Sequence, residues 1–225
     1  MKIDSMKYPL PSRFRHHSSP NLYLPLSELK TVPEYYPPLI KEIRWEKYFD
    51  NGMPPDVLDI GCGKGQFLLD FAELNPDLNI LGIELRKGPV DWLQQIIKGE
   101  KIANAAVLWY SVVNGLDFIE AETISKVFYL FPDPWFKKKH NKRRAFNEKF
   151  LDNIFRILRK DGELYLATDV SSINDYHLEI LNSTQNFRYE IIQDDSNWQL
   201  PRTNKELFCL RKKIEYYRVK VYKNL

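Results

Sequence analysis

From Val57 onward, short unbroken apolar runs alternate with segments whose apolar positions recur every three to four residues. VLDIG (57–61), ILGIE (80–84), AAVLWY (105–110) and VFYLF (127–131) read as strands, whereas GQFLLDFAEL (65–74), PVDWLQQIIK (89–98) and a stretch near 147–159 carry the helical period. ELYLATD (163–169) is a further strand after the Asp161-Gly162 turn, and a helix near 172–184 leads into FRYEIIQ (187–193). YRVKVYK (217–223) alternates and suits an antiparallel edge hairpin. Strand and helix in alternation predict an α/β fold: a doubly wound, mostly parallel seven-stranded sheet with helices on both faces and an antiparallel C-terminal hairpin.

Residues 1–56 break this pattern. They hold Pro9, Pro11, Pro20, Pro25, Pro33, Pro37, Pro38, Pro54 and Pro55 and only one plausible helix, about 37–49. Proline interrupts regular structure without forbidding packing, so this segment is either an arm lying over the domain of residues 57–225 or a disordered tail. The composition, 44% hydrophobic and 28% charged over 225 residues, is that of a globular chain able to bury a core. A formal net charge of +3 is mild, so any contact with a polyanion must come from local clusters. The two cysteines, Cys62 and Cys209, have no metal-ligand spacing and build no disulfide framework, which suits a reducing compartment. With no long apolar run and no apolar signal core, a cytoplasmic protein without membrane contact is expected, as a monomer or weak homodimer.

Chemistry enters where the first strand turns into the first helix. Asp59-Ile60-Gly61-Cys62-Gly63-Lys64-Gly65 brings glycines to a helix N-terminus, where a ligand approaches the backbone closely. Glu84 ends the second strand, where a carboxylate accepts both hydroxyl hydrogens of a ribose. The spacing is GxGxG, and Asp59 stands two residues before the first glycine, where its charge repels a pyrophosphate. S-adenosylmethionine, with an amino group and a sulfonium, fits that acid better than NAD does; a glycine turn serving only packing is the remaining alternative. Asn114, shortly after the third strand, stands where a side-chain amide meets an adenine amino group, or is an ordinary turn asparagine.

FPDPWFKKKHNKRR (131–144) sets Asp133 between two prolines just beyond the fourth strand, at the carboxyl edge of the sheet. Lys137, Lys138, Lys139, His140, Lys142, Arg143 and Arg144 follow. A charge run is often only a solvated face. Beside a catalytic edge, phosphates are its economical explanation, since Lys and Arg neutralise a nucleic-acid backbone without reading sequence.

Asp-Pro-Trp is similar to the (Asp/Asn)-Pro-Pro-aromatic motif of amino-methylating enzymes without its second proline. Taken with DIGCGKG upstream, and with ATD (167–169) and TNKE (203–206) downstream, the FPDPWFKKKHNKRR block resembles the bacterial tRNA (guanine-N7)-methyltransferases. The resemblance covers roughly Val57 to Phe208. It implies a Rossmann-like class I methyltransferase that uses S-adenosyl-L-methionine to form 7-methylguanosine at guanine 46 of the tRNA variable loop. It further implies Asp59, Glu84, Asn114 and Asp133 as cofactor residues, beside Gly61 and Gly63 of the loop, and the carboxylate of Asp133 is also the candidate catalytic group, placed to favour the positive charge that alkylation leaves on the purine. Lys137, Asp169, Thr203, Asn204, Lys205 and Glu206 are the implied substrate residues; the basic run Lys137 to Arg144 is expected to grip tRNA, and Arg13, Arg15, His16 and His17 of the N-terminal arm are a further candidate contact. For Asp169 the alternative is a helix cap before Ser171. Two departures stand out: Asn114 where many members have Asp, and Asn204-Lys205 inside the family's Thr-x-x-Glu. Other readings are methylation of a different nucleic-acid position, an RNA-binding protein without turnover, and a nicotinamide oxidoreductase.

Overall fold

The computed structural model describes residues 1, 3–10, 20–136 and 138–224. Seven strands form one sheet: β1 (Val57–Ile60), β2 (Ile80–Glu84), β3 (Ala105–Trp109), β4 (Ile124–Leu130), β5 (Leu158–Thr168), β6 (Phe187–Ile191) and β7 (Tyr217–Lys223). Their order is β3-β2-β1-β4-β5-β7-β6. The first five run parallel, and β7 is antiparallel to both of its neighbours. Five helices cover the faces: α1 (Gln66–Leu74), α2 (Lys87–Gly99), α3 (Glu148–Ile157), α4 (Ser171–Asn182) and α5 (Asn204–Lys212).

β1 and β2 are apolar along their length, apart from Asp59 and Glu84, because helices cover both faces of the sheet; every residue in the two strands is buried. Successive residues of β1 serve opposite faces. Val57 joins α1 and α2 side chains such as Leu68, Phe71 and Leu93, while Leu58 and Ile60 join Phe150, Leu151 and Ile154 of α3. α3 starts where Asn147 accepts from the Phe150 amide at 3.0 Å, a cap worth about 1 kcal/mol.

Two elements differ in detail from the pattern. The alternating segment 217–223 is antiparallel as expected, but it inserts between β5 and β6, so that β6 forms the edge. β5 extends back through the Asp161-Gly162 turn. Ile124 pairs with Leu158 and Lys126 with Glu163, so residues 159–162 bulge out of register.

The helix expected over 37–49 is reduced to one 3-10 turn, Trp45–Lys47. Ile40, Ile43, Trp45 and Tyr48 pack on the core through an irregular backbone, with Phe49 only 1% exposed. Apolar residues three apart need not share a helix when turns bring them to the same surface. The described part of the Pro-rich segment lies over the domain: Leu22, Leu24 and Tyr36 are buried.

His177 of α4 is buried against Phe146, with ring centroids 4.4 Å apart. Burial, and then the charge of Arg144, hold its imidazole down at about 3. An unfolded histidine titrates near 6.5, so below that pH the unfolded chain takes up a proton that the folded chain refuses. Stability therefore falls as pH drops from about 6.5 toward 3, by about 2 kcal/mol at pH 5 from this group. Urea unfolding at pH 7 and pH 5 checks this: His177→Leu is expected to lose less stability on acidification than the wild type, and an equal loss removes the assignment.

Candidate active site

The carboxyl ends of β1, β2 and β4 open on a cavity of about 1070 Å³, whose wall includes Asp59, Glu84, Arg86, Asp133 and Trp135. The glycine loop forms its floor. Gly61 has φ +82°, and a Cβ there would find nothing within 4 Å, so the backbone faces open space. Gly65 serves packing instead: at φ +72° it precedes α1, and a Cβ would stand 2.4 Å from Leu93 Cδ2.

Asp59 is 4% exposed, and its Oδ2 has no hydrogen-bond partner within the protein. Burial, and then the charge of Glu84, push its carboxyl up to about 8. An acid so placed favours a ligand that brings positive charge. Glu84, equally buried, accepts from the Gly63 amide at 3.0 Å through Oε2 and from the Arg86 amide at 2.9 Å through Oε1. The Arg86 guanidinium closes over it, with Nε 2.8 Å from Oε1. Arg86, two residues beyond the acid, completes the site but was missed in the sequence reading. The signal was an arginine two residues past a strand-end acid.

Asp133 sits in a turn built under strain. Phe131 and Trp135, two residues to either side, have φ of +53° and +42°. Left-handed geometry costs a non-glycine residue on the order of 1–3 kcal/mol and persists where the surroundings enforce it. Here the Phe131 amide donates to Ala167 O at 2.7 Å, and Arg144 donates to Trp135 O at 3.3 Å. The Asp133 Oδ2 accepts from the Tyr23 hydroxyl at 2.5 Å. Tyr23 was also missed, because nothing in a proline-rich arm marks one tyrosine above another.

The basic run divides. Lys142 is exposed, but Arg143 stacks on the Trp135 ring at 4.9 Å and Arg144 on Tyr176 at 4.5 Å, both half-buried. Lys137 lies outside the described residues, as do Arg13, Arg15, His16 and His17.

The opposite wall comes from the start of α5. Thr203 Oγ1 accepts from the Glu206 amide at 3.0 Å, the first half of a capping box. Thr203, Asn204 and Lys205 line the cavity. Glu206 turns away from it: it is 2% exposed and pairs with Arg202 at 3.0 Å, while burial raises its carboxyl. Asp169, at the end of β5, pairs with Lys205 at 2.6 Å. No side chain caps α4, so the alternative of Asp169 as a helix cap does not hold.

Asn114 is engaged by the arm. It ends a 3-10 turn after β3, off the cavity wall; its Oδ1 accepts from the Leu26 amide at 2.8 Å, and its Nδ2 meets the Tyr36 hydroxyl at 2.9 Å. The arm has taken up its amide, and the neighbouring Val112 and Val113 face the cavity instead. The structure therefore gathers Asp59, Gly61, Gly63, Glu84, Asp133, Thr203, Asn204 and Lys205 around one space, sets Asp169 behind Lys205, and leaves Asn114 and Glu206 in supporting positions. Among the described residues no group of His, Cys, Asp and Glu suits a metal ion, and no helix is long and apolar enough to cross a membrane.

A mostly parallel sheet with a penultimate antiparallel strand, an acid-flanked glycine loop and a second acid beyond β4 define a methyltransferase of the Rossmann-like class. The model of a family described as "Putative methyltransferase" matches residues 54–222. A tRNA (guanine-N(7)-)-methyltransferase from Prochlorococcus marinus is 32% identical over 89% of this chain and 94% of its own length. One from Alkaliphilus oremlandii is 34% identical over 74% and 79%. The chain belongs to the tRNA (guanine-N7)-methyltransferase family. Among solved structures, the precorrin-6y C5,15-methyltransferase of Geobacter metallireducens superposes with a TM-score of 0.53 over 75% of this chain and 78% of that one. At 15% identity that likeness shows the fold alone.

Proposed function

We propose that this protein transfers a methyl group from S-adenosyl-L-methionine to N7 of a guanine in tRNA, forming 7-methylguanosine. Position 46 of the variable loop is the finer reading, resting on the family resemblance. The observation that carries the proposal is the sharing of one cavity by Asp59, Glu84 and Asp133, in a chain whose relatives bear that activity in their names.

The residues fit the cofactor. Asp59 offers a buried carboxyl oxygen with no partner of its own, and Gly61 leaves open space above its backbone. Asp59 would hold the amino acid portion, Glu84 the ribose, with Arg86 yielding part of its contact, and the loop at Val112-Val113 the adenine, with Asn114 anchoring that loop to the arm. When bound, the cofactor supplies a methyl group on a sulfonium.

Guanine N7 has an in-plane lone pair and no proton, so no general base is required. The protein's task is positioning, with nucleophile and methyl carbon near 3–3.5 Å, as is general for near-attack geometry. Positive charge grows on the purine as it is alkylated. Asp133 is the carboxylate placed to favour that change. Asp169 would accept from guanine N1–H and N2–H once Lys205 releases it, and adenine presents no such pair. Thr203, Asn204 and Lys205 form the lip that the RNA meets, and Glu206 holds that lip through Arg202. Lys137 and the exposed Lys142 grip phosphates without regard to sequence. The target base must leave its stack to reach the cavity, at a cost of about a few kcal/mol.

Methyl transfer from labelled cofactor to unmodified tRNA, followed by nucleoside analysis, tests this reading. Label is expected in 7-methylguanosine. Label in another nucleoside would overturn the choice of N7, and tRNA binding without label would overturn the assignment as an enzyme.

A further inference from the structure

The arm reaches the reacting edge through one side chain. We propose that Tyr23 is a positioning residue for methyl transfer, holding the carboxylate of Asp133 in the orientation that faces the guanine; this rests on the function proposed above.

Tyr23 closes the 3-10 turn Pro20–Tyr23, and its ring lies on the cavity wall. Its position is fixed from both sides. Leu22 and Leu24 are buried, Ser111 Oγ donates to Leu22 O at 3.4 Å, the Tyr36 hydroxyl donates to Leu24 O at 2.7 Å, and the Leu26 amide is held by Asn114. The ring meets Trp135 edge to face at a centroid distance of 4.7 Å. Trp135 belongs to the same strained turn as Asp133, so Tyr23 touches that turn twice: ring against ring, and hydroxyl against carboxylate.

An aspartate in a half-buried turn still has several rotamers open to it. A hydrogen bond of 2.5 Å from an immobilised phenol selects one of them and is of the charge-assisted, stronger kind. It engages Oδ2 and leaves Oδ1 for the substrate. Burial, and then the charge of Asp133, raise the phenol's ionisation well above its ordinary value, so Tyr23 remains a donor and does not act as a base. The arrangement makes the arm a part of the catalytic edge: an undocked arm would leave Asp133 present but unaimed.

Tyr23→Phe is the test, since it keeps the ring on Trp135 and removes only the hydroxyl. Formation of 7-methylguanosine is expected to lose about ten- to thirtyfold in kcat, in keeping with loss of one charge-assisted bond. KM for cofactor and for tRNA is expected to stay within about twofold, and the thermal midpoint to fall by no more than several degrees. In an Asp133→Ala background, single-turnover rates should fall by less than about threefold on adding Tyr23→Phe, because the partner through which it acts is gone. An unchanged kcat overturns the proposal. So does a rise in KM at constant kcat, which marks a ligand contact, or a full further loss on top of Asp133→Ala, which marks an independent role. A wild-type protein that makes no 7-methylguanosine removes the proposed function and this inference with it, whereas an active wild type with an equally active Tyr23→Phe removes the inference alone.

Discussion

Asp133→Ala is expected to lower methyl transfer to tRNA by roughly 10²–10³, the scale on which removing one preorganised electrostatic contact acts. The effect is one of charge. The purine gains positive charge as N7 is alkylated, and a fixed carboxylate at the cavity wall lowers the energy of that change more than the energy of the neutral base. Because the effect belongs to the transition state, it should appear chiefly in kcat, with a smaller loss of cofactor affinity from the contact Asp133 is also expected to make. Asp133→Asn separates charge from shape. It keeps an oxygen for the Tyr23 hydroxyl, and it is expected to retain the affinity for tRNA but recover only a minor part of the rate. Rapid-quench measurement of a single turnover, with cofactor affinity determined by calorimetry, reads both quantities. Full activity in Asp133→Ala would require another group to carry the charge.

Asp59→Asn should move stability and binding in opposite directions. In the folded protein the Asp59 carboxyl sits at about 8, against roughly 3.9 in an unfolded chain. The folded form thus holds a proton that the unfolded form releases between those values. Stability contributed by this group is intact below about pH 4, declines as pH rises, and is depressed by up to about 4 kcal/mol at pH 7. Asparagine carries no such dependence. At about 2–4 °C per kcal/mol for a chain of this size, the variant's thermal midpoint is expected to rise by several degrees at pH 7, with the difference vanishing near pH 4. The cofactor's cationic groups would lose their counter-ion, so affinity is expected to fall by at least about a hundredfold. The same linkage predicts that the wild type releases close to one proton on binding S-adenosylmethionine at pH 7, seen as a binding heat that changes with the buffer's ionisation enthalpy. A buffer-independent heat, together with unaltered stability in the variant, would show Asp59 to be charged before any ligand arrives.

How much of this was legible in the sequence depends on whether a property is local. The strands β1 to β3 announce themselves because burial on both faces leaves them almost wholly apolar, whereas in β4 the run reads clearly only from Val127, past the partly buried Ser125 and Lys126. Asp59 and Glu84 stand out for the same reason, as acids in otherwise apolar runs at the edge where such folds bind ligands. Asp133 is set by its own prolines. What escaped notice depends on which distant segment comes to lie alongside. The motif does not say that Arg143 and Arg144 fold back on Trp135 and Tyr176, since a cation stacked on a ring and a cation awaiting a phosphate are written alike. That Asn114 holds the Leu26 amide is equally invisible in the sequence, since the two lie 88 residues apart. Tyr23 carries no periodicity at all. Alternation in 217–223 fixed a strand and its direction, but could not say that the strand would stand between two others rather than outside them.

That last placement bears on how the chain is made. β6 has only one neighbour in the sheet, and that neighbour, Tyr217–Lys223, is synthesised after it, with α5 in between. While the ribosome is still short of Tyr217, Leu158–Thr168 and Phe187–Ile191 both present open backbone on their facing sides. Unpaired strand edges of this kind are where nascent chains join one another. The arrival of a single segment then closes two edges at once, so the far half of the sheet is completed in one step late in synthesis, and a chain ending between Ile191 and Tyr217 is expected to carry both edges open and to associate rather than act as a shortened enzyme.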